Sequence, residues 1–278
     1  MRRQKIKKEK EKKLGLFKWL VAGVFLLLAG LLVFFLRPEF WNHHGKLAVV
    51  VDGGEEVVVS LYDSGAGSQT DVIIPGKTQV LAAYGLGTWK LGSLWKLGTD
   101  EKMGGSLITR SVAKNFGLPV FIWWDALSTG DKIRIKLFGL FYGSGKDTIY
   151  LKETGYLKKT VFMDGEDGYL VNKDTPEKIS SLFSDQEEFG SLLRAKITDS
   201  TGSFGLANKV GKIIETMGIK VAAIAKGSDF EFDCRVIGKN KKLAGKVALI
   251  LGCSRNETKS STPFDLEVDL GEKFAQKF

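Results

Sequence analysis

From Trp19 to Leu36 the chain reads WLVAGVFLLLAGLLVFFL, eighteen consecutive residues without a charge. As an α-helix such a run rises about 27 Å, close to the roughly 30 Å hydrocarbon core of a bilayer. Lys18 and Arg37 bracket it, and Trp19, Phe40 and Trp41 stand at its ends in the manner of interfacial aromatics. A buried core helix has no need of such flanks. A secretory signal peptide has a shorter apolar stretch and an A-x-A-like cleavage site, which does not follow here, and no Cys stands nearby to accept a lipid. The run predicts a single transmembrane helix over 19–36.

Charge orients that helix. Residues 1–18 hold nine basic side chains, Arg2, Arg3, Lys5, Lys7, Lys8, Lys10, Lys12, Lys13 and Lys18, against Glu9 and Glu11, whereas only Arg37 and Lys46 follow soon after the run. The positive-inside bias makes 1–18 a basic cytoplasmic tail and places everything from about Pro38 onward outside the cytoplasmic membrane. The same tail supplies most of the formal net charge of +9, so the folded part is nearly neutral. Nucleic-acid binding needs a basic patch on the folded domain itself, and nucleic acid is not an expected partner. The two His are adjacent, at 43 and 44, and no C-x-x-C or H-E-x-x-H spacing exists, so no protein-built metal site is expected. Outside the cytoplasm Cys234 and Cys253 are free to oxidise. Their spacing does not establish a bridge: two separate, mostly buried thiols are the plainer reading, and a bond between them is left open.

Beyond the span, KLAVVVDGGEEVVVSLYD (46–63) is two Val-rich runs joined by Asp52-Gly53-Gly54, the composition of a hairpin. A Gly/Ser loop over 64–69 precedes a third strand, DVIIP (71–75). The stretch 85–105 reads as turns with a short helix. Leu107, Ile108, Val112 and Phe116 recur at helical spacing before the stop Gly117-Leu118-Pro119, and VFIWW (120–124) reads as a buried strand. Over 129–142 the residues Ile133, Leu137, Leu140 and Phe141 fit a helix behind a Ser128/Thr129 cap, while Ile133, Ile135 and Leu137 fit a strand; the helix is preferred. DTIYL (147–151) reads as a strand, 174–177 caps a short helix to about Phe183, and 184–191 is polar. The last part parses as strand 194–199, a turn, a helix with Leu206, Val210, Ile213, Ile214 and Met217 on one face, strands 219–225 and 230–237, a helix with Leu243, Val247, Ile250 and Leu251, and strand 265–271. It is an α/β unit.

Few motifs carry chemistry. In Gly139 to Asp147 a Walker A loop would need Gly where Leu140 stands and Ser or Thr where Asp147 stands. Gly65-Ala66-Gly67 lacks the third Gly of a dinucleotide fingerprint. His43 and His44 lie too close to the membrane run to build a triad, and Asp164, Glu166 and Asp167 have a turn composition. Asp199, Ser200, Thr201, Gly202 and Ser203 join a strand to a helix N-terminus, where free N–H groups favour an anion or a sugar hydroxyl; a tight turn with a small-residue cap is the plainer reading.

The segment RAKITDSTGSFGLANKVGKIIETMGIKVAAIAKGSDFEF, through Thr201-Gly202, Gly205-Leu206-Ala207, Val210, Gly218 and the closing Gly271, resembles the LytR C-terminal domain of LytR-CpsA-Psr envelope proteins over about 193–278. Asp199 replaces the usual Asn. Upstream, VVSLYDSG, VIIPGKTQ and GGSLITRSVAKNFGLPVFIW are similar in outline to that family's catalytic domain. The resemblance implies enzymes that move glycopolymers from a polyprenyl pyrophosphate carrier to peptidoglycan, with Arg and Asp around the pyrophosphate and a magnesium ion. Here Gly76 and Lys77 stand in place of the Arg-Asp pair, and no Arg-x-Arg occurs between Ile135 and Leu193, leaving Lys77, Arg110 and Arg134 as candidate pyrophosphate or anion contacts. Losing planar guanidinium forks removes bidentate phosphate binding.

The expectation is an α/β fold class: tail 1–18, transmembrane helix 19–36, a degenerate LytR-CpsA-Psr-like domain at 46–183, a linker at 184–192 and a LytR C-terminal domain at 193–278. Its expected work is non-catalytic binding or scaffolding of peptidoglycan or cell-wall glycopolymer at the bacterial envelope, without a cofactor. A divergent phosphotransferase with magnesium is one alternative, and a protein-interaction module of an envelope complex another.

Overall fold

The structure is a computed structural model that describes residues 23–31, 40–41, 45–142, 145–172, 175–185, 189–190, 192–228, 233–256 and 262–278. The tail 1–18, half of the apolar run, His43 and His44 lie outside the described residues, as do Asp174 and residues 230–232. The helices are α1 (23–31), α2 (Leu94–Asp100), α3 (Ser106–Phe116), α4 (Thr129–Tyr142), α5 (Glu177–Phe183), α6 (Leu206–Thr216), α7 (Lys241–Leu251) and α8 (Glu272–Lys277). The strands are β1 (Lys46–Asp52), β2 (Glu56–Asp63), β3 (Ser68–Pro75), β4 (Thr78–Leu81), β5 (Thr88–Lys90), β6 (Ile122–Trp123), β7 (Lys146–Tyr150), β8 (Leu157–Val161), β9 (Asp167–Val171), β10 (Arg194–Asp199), β11 (Lys220–Lys226), β12 (Cys234–Gly238), β13 (Ser254–Arg255) and β14 (Leu266–Leu270). The chain is mixed α/β. It divides into two compact units, Met1–Asn42 with Leu127–Phe138, and His43–Ala126 with Gly139–Phe278.

In the first unit, α1 leaves Val24, Phe25, Leu26, Leu27, Leu28 and Leu31 exposed. No helix among the described residues is long and apolar enough to cross a membrane. The stretch left between helix and strand is the helix α4. Ser128 opens it: its hydroxyl accepts from the Asp131 N–H (3.0 Å) and donates to the Asp131 carboxylate (2.6 Å), a reciprocal cap of the first turn. Asp131 is fully buried and also accepts from the backbone N–H groups of Phe40 (3.2 Å) and Trp41 (3.1 Å). The buried Trp41 ring meets Phe138 edge-on at 5.2 Å. Buried polar groups need partners of this kind, and here they tie residues 40–41 to α4.

The second unit holds three sheets. The first has the order β6-β1-β2-β3-β7. Asp52, Gly53 and Gly54 close the β1–β2 hairpin, with Gly53 N–H to Glu56 O at 3.1 Å and Gly54 N–H to the Asp52 carboxylate at 2.9 Å. Leu47, Ala48, Val49 and Val50 are all buried, as a continuous apolar run covered on both faces requires. The second sheet, β5-β4-β9-β8, contains an antiparallel β8–β9 pair whose turn holds Asp164 and Glu166. Lys90 pairs with both, and Lys159 with Asp167. Strand β6 is shorter than the run 120–124, because the chain turns into a 3-10 helix at Trp124–Ala126. The stretch 85–105 holds β5 as well as turns and α2.

The third sheet, β11-β10-β14-β12-β13, is flanked by α6 and α7. Leu206, Val210, Ile213 and Ile214 of α6 and Leu243, Val247, Ile250 and Leu251 of α7 are buried, and Gly218 follows α6 with a positive φ of 84°. The open question of the cysteines is resolved against the plainer reading: Cys234 and Cys253 form a disulfide. The cause is topological. β12 and β13 run parallel with Arg235 opposite Ser254, so the residues one step earlier on each chain, Cys234 and Cys253, come side by side. Linear spacing does not reveal that register. In the polar stretch 184–191, Asp185 is buried and bonded to Lys246 of α7 at 2.8 Å.

Candidate functional site

α3 and α6 meet within the second unit. Each buries an apolar stripe and leaves cations half-buried at its margin: Arg110 and Lys114 on α3, Lys209 and Lys212 on α6. Arg110 and Lys114 are four residues apart and share a helix face. Phe116, at the end of α3, packs edge-on against the buried Tyr156 at 6.1 Å, and the Tyr156 hydroxyl donates to the Phe116 carbonyl at 2.6 Å. Burial pushes that phenol up to about 12. The Lys212 ammonium lies 4.9 Å from the centre of the Tyr156 ring. It can run there because residue 117 is Gly: a Cβ on Gly117 would stand 2.7 Å from Lys212 Cγ.

Two of the four cations have structural work. Lys212 passes the C-terminal end of α3. Arg110 reaches the C-terminal end of α7, where a Cβ on Gly252 would be 2.5 Å from its guanidinium, and it lies 5.7 Å from the Tyr84 ring. Helix C-termini favour cations. Lys114 is different. Its ammonium has a long contact of 3.4 Å to the Ala82 carbonyl, and burial, followed by the charge of Lys209, lowers its pKa to about 8. An ammonium half removed from water, with a second ammonium near it, is a place where an anion gains from both.

Of the residues singled out from sequence, only Arg110 belongs to this cluster. Lys77 is exposed on the β3–β4 turn, where its carbonyl accepts from the Tyr169 N–H at 3.3 Å. Gly76 beside it cannot carry a side chain without movement, because a Cβ would stand 2.4 Å from the Glu55 carbonyl oxygen. An Arg-Asp pair is excluded there by packing. Arg134 lies on α4, in the part assigned to the first unit. The three candidates therefore sit on three different elements with different local partners. The sequence alone does not single out Lys114, Lys209 and Lys212: the four-residue spacing of Arg110 and Lys114 is legible in it, but the pairing of α3 with α6 is not.

The turn after β10 is organised from within. The Asp199 carboxylate accepts from the Thr201 N–H (3.0 Å) and hydroxyl (2.6 Å), and Thr201 Oγ1 accepts from the Ser203 N–H at 3.1 Å. Ser200 N–H donates to the Leu270 carbonyl at 2.9 Å, and Gly202 takes a φ of 67° that Gly adopts without strain. Asp199 is occupied in holding its own turn, as Asp does in Asx turns. A separate open groove of about 360 Å³ runs between α6 and the edge strand β11, lined by Asn208, Gly211, Glu215 and residues 221–224. Among the described residues no group of three His, Cys, Asp or Glu comes together to hold a metal.

No family model matches the chain, and no curated protein matches it. Among solved structures it is similar to the Lin1025 protein of Listeria innocua, at 14% identity over 72% of this chain and 88% of that one, with a TM-score of 0.22. B. subtilis TagT follows at 11% identity, covering 78% and 96%, with a TM-score of 0.24. B. subtilis TagU aligns at 10% identity over 75% and 96%, with a TM-score of 0.22. At TM-scores this low the likenesses carry no argument about fold or activity.

Proposed function

We propose that this chain is a single-pass, N-in membrane protein of the cell envelope whose extracytoplasmic α/β part, a degenerate LytR-CpsA-Psr-like domain followed by a LytR C-terminal domain, binds an anionic cell-wall glycopolymer without transferring it. The observation that carries the binding is the half-buried Lys114 ammonium beside Lys209, with Arg110 one turn away. Support for the location comes from three sides: the apolar run 19–36 with its basic tail, the exposed apolar side chains of α1, and the Cys234–Cys253 disulfide, a bond that persists in oxidising compartments. The family assignment rests on the sequence resemblance.

The test is co-sedimentation of the full chain in detergent with insoluble wall material, before and after its anionic polymers are stripped. Saturable binding to unstripped wall, lost on stripping and weakened at least about tenfold by combined Lys114→Gln and Lys209→Gln, is the expected result; tenfold corresponds to about 1.4 kcal/mol. Equal binding by the double variant contradicts the site. A second reading, a protein-interaction module, is favoured by the groove beside β11, an edge strand with Ile224 exposed between Lys220 and Lys226. Edge strands pair with extended peptides, and Lys residues guard against such pairing when it is unwanted.

A further inference from the structure

α4 is a helix of fourteen residues, about 21 Å long, with two apolar faces. One faces inward, through Ile135 and Phe138, and carries the buried Asp131 that binds residues 40–41. The other faces outward. At about 100° per residue, Leu140, Ile133, Leu137 and Phe141 fall within an arc of about 100° on the opposite side. All four are exposed, Leu140 at 77% and Phe141 at 74%. Lys136 lies about 40° from one edge of that arc, with Lys132 beyond it, and Arg134 about 20° from the other. The charges of this helix that reach solvent are thus all positive, since its one acid is buried.

An outward apolar arc bordered by long basic side chains is the pattern of a helix lying in a membrane interface, where the arc enters the acyl boundary and the Lys and Arg stems bring their charges up to phosphates. An ordinary surface helix would place its charges at the centre of the exposed arc, not at its edges. Position decides what covers the face. Asp131 grips Phe40 and Trp41, and those residues follow within five positions of Leu36, the last residue of the predicted span. A helix tied that closely to the end of a membrane anchor is held at the bilayer surface by the anchor itself.

We infer that α4 lies in the outer headgroup layer beside the anchor, with Ile133, Leu137, Leu140 and Phe141 in the acyl boundary and Lys132, Arg134 and Lys136 at anionic lipid phosphates. This rests on the anchored, extracytoplasmic reading above. It gives Arg134 a role that the anion cluster on α3 and α6 does not.

The experiment uses the full chain reconstituted in vesicles of zwitterionic and anionic phospholipid carrying brominated acyl chains. A bimane label is placed in turn at L140C, F204C and L27C; Cys234 and Cys253 are bonded and do not compete for it. A label at 140 should sit about 5–10 Å into the headgroup and acyl boundary. The label at 27 should be quenched by deep bromines, and the one at 204, in the exposed turn before α6, by neither shallow nor deep ones. Combined K132Q, R134Q and K136Q should reduce quenching at 140 in anionic vesicles and leave that at 27 unchanged. Deep quenching at 27 with no more quenching at 140 than at 204 overturns this inference and leaves the anchor standing. No quenching at 27 overturns the anchored reading, and the inference with it.

Discussion

α6 and α4 obey the same helical period and spend it in opposite ways. α6 turns Leu206, Val210, Ile213 and Ile214 inward, all of them buried against the third sheet, and sends its Lys residues to the margin. α4 turns Ile133, Leu137, Leu140 and Phe141 outward and packs instead through Gly130, Asp131, Ile135 and Phe138. The four residues that announce α4 as a helix are the ones its fold leaves uncovered. Periodicity locates a helix; which stripe is buried depends on what lies beyond it, and the proposal above puts a lipid surface beyond α4 rather than a second layer of protein.

The contrast can be broken most forcefully by equal truncations. Ile213→Ala on α6 should cost about 2–5 kcal/mol in urea unfolding, since it leaves a cavity in a closed core. Leu140→Ala on α4 should stay within about 0.5 kcal/mol in detergent, because an exposed side chain leaves no cavity. Similar losses from both would show that α4 packs its outer face against protein. Next in size is the disulfide that closes the sheet beneath α6 and α7. The Cys234→Ser, Cys253→Ser chain should lose about 2–4 kcal/mol, measured by denaturant midpoint against the oxidised protein.

Asp131→Ala removes the acceptor for Phe40, Trp41 and Ser128 and should cost about 1–3 kcal/mol. Faster amide exchange at residues 40–41 with that in α6 unchanged would place the loss at α4; uniform acceleration would not. The smallest effect concerns Lys114. Its folded pKa of about 8 lies below the ordinary 10.5, so between those values the unfolded chain binds more protons and stability rises with pH. Below about pH 8 both states are protonated and the contribution is flat. Lys114→Met should remove that rise and leave stability at pH 7 equal or slightly higher, while weakening anion binding.

Much of the fold was legible where short-range chemistry decides it. The Asp52-Gly53-Gly54 hairpin, the Gly117 stop of α3 and the α/β run from Arg194 to Leu270 follow from turn residues and period alone. What was not legible depends on register or approach between distant segments. The parallel β12–β13 pairing that joins Cys234 to Cys253 is of that kind. So is the approach of Gly76 to Glu55, which leaves no room for a side chain at 76 without movement. The basic cluster is half legible for the same reason: Arg110 and Lys114 share a helix, whereas Lys209 reaches them only through the meeting of α3 and α6.

The central claim is that an anion is bound where Lys114 and Lys209 face one another. Its most direct test follows the Lys114 ammonium by NMR in the full chain, with lysines isotopically labelled, through a pH titration with and without a phosphate-linked glycopolymer. A bound anion should lift the Lys114 pKa from about 8 toward 10.5 and make the affinity fall as pH rises through that range. A titration curve unmoved by saturating polymer would contradict the account.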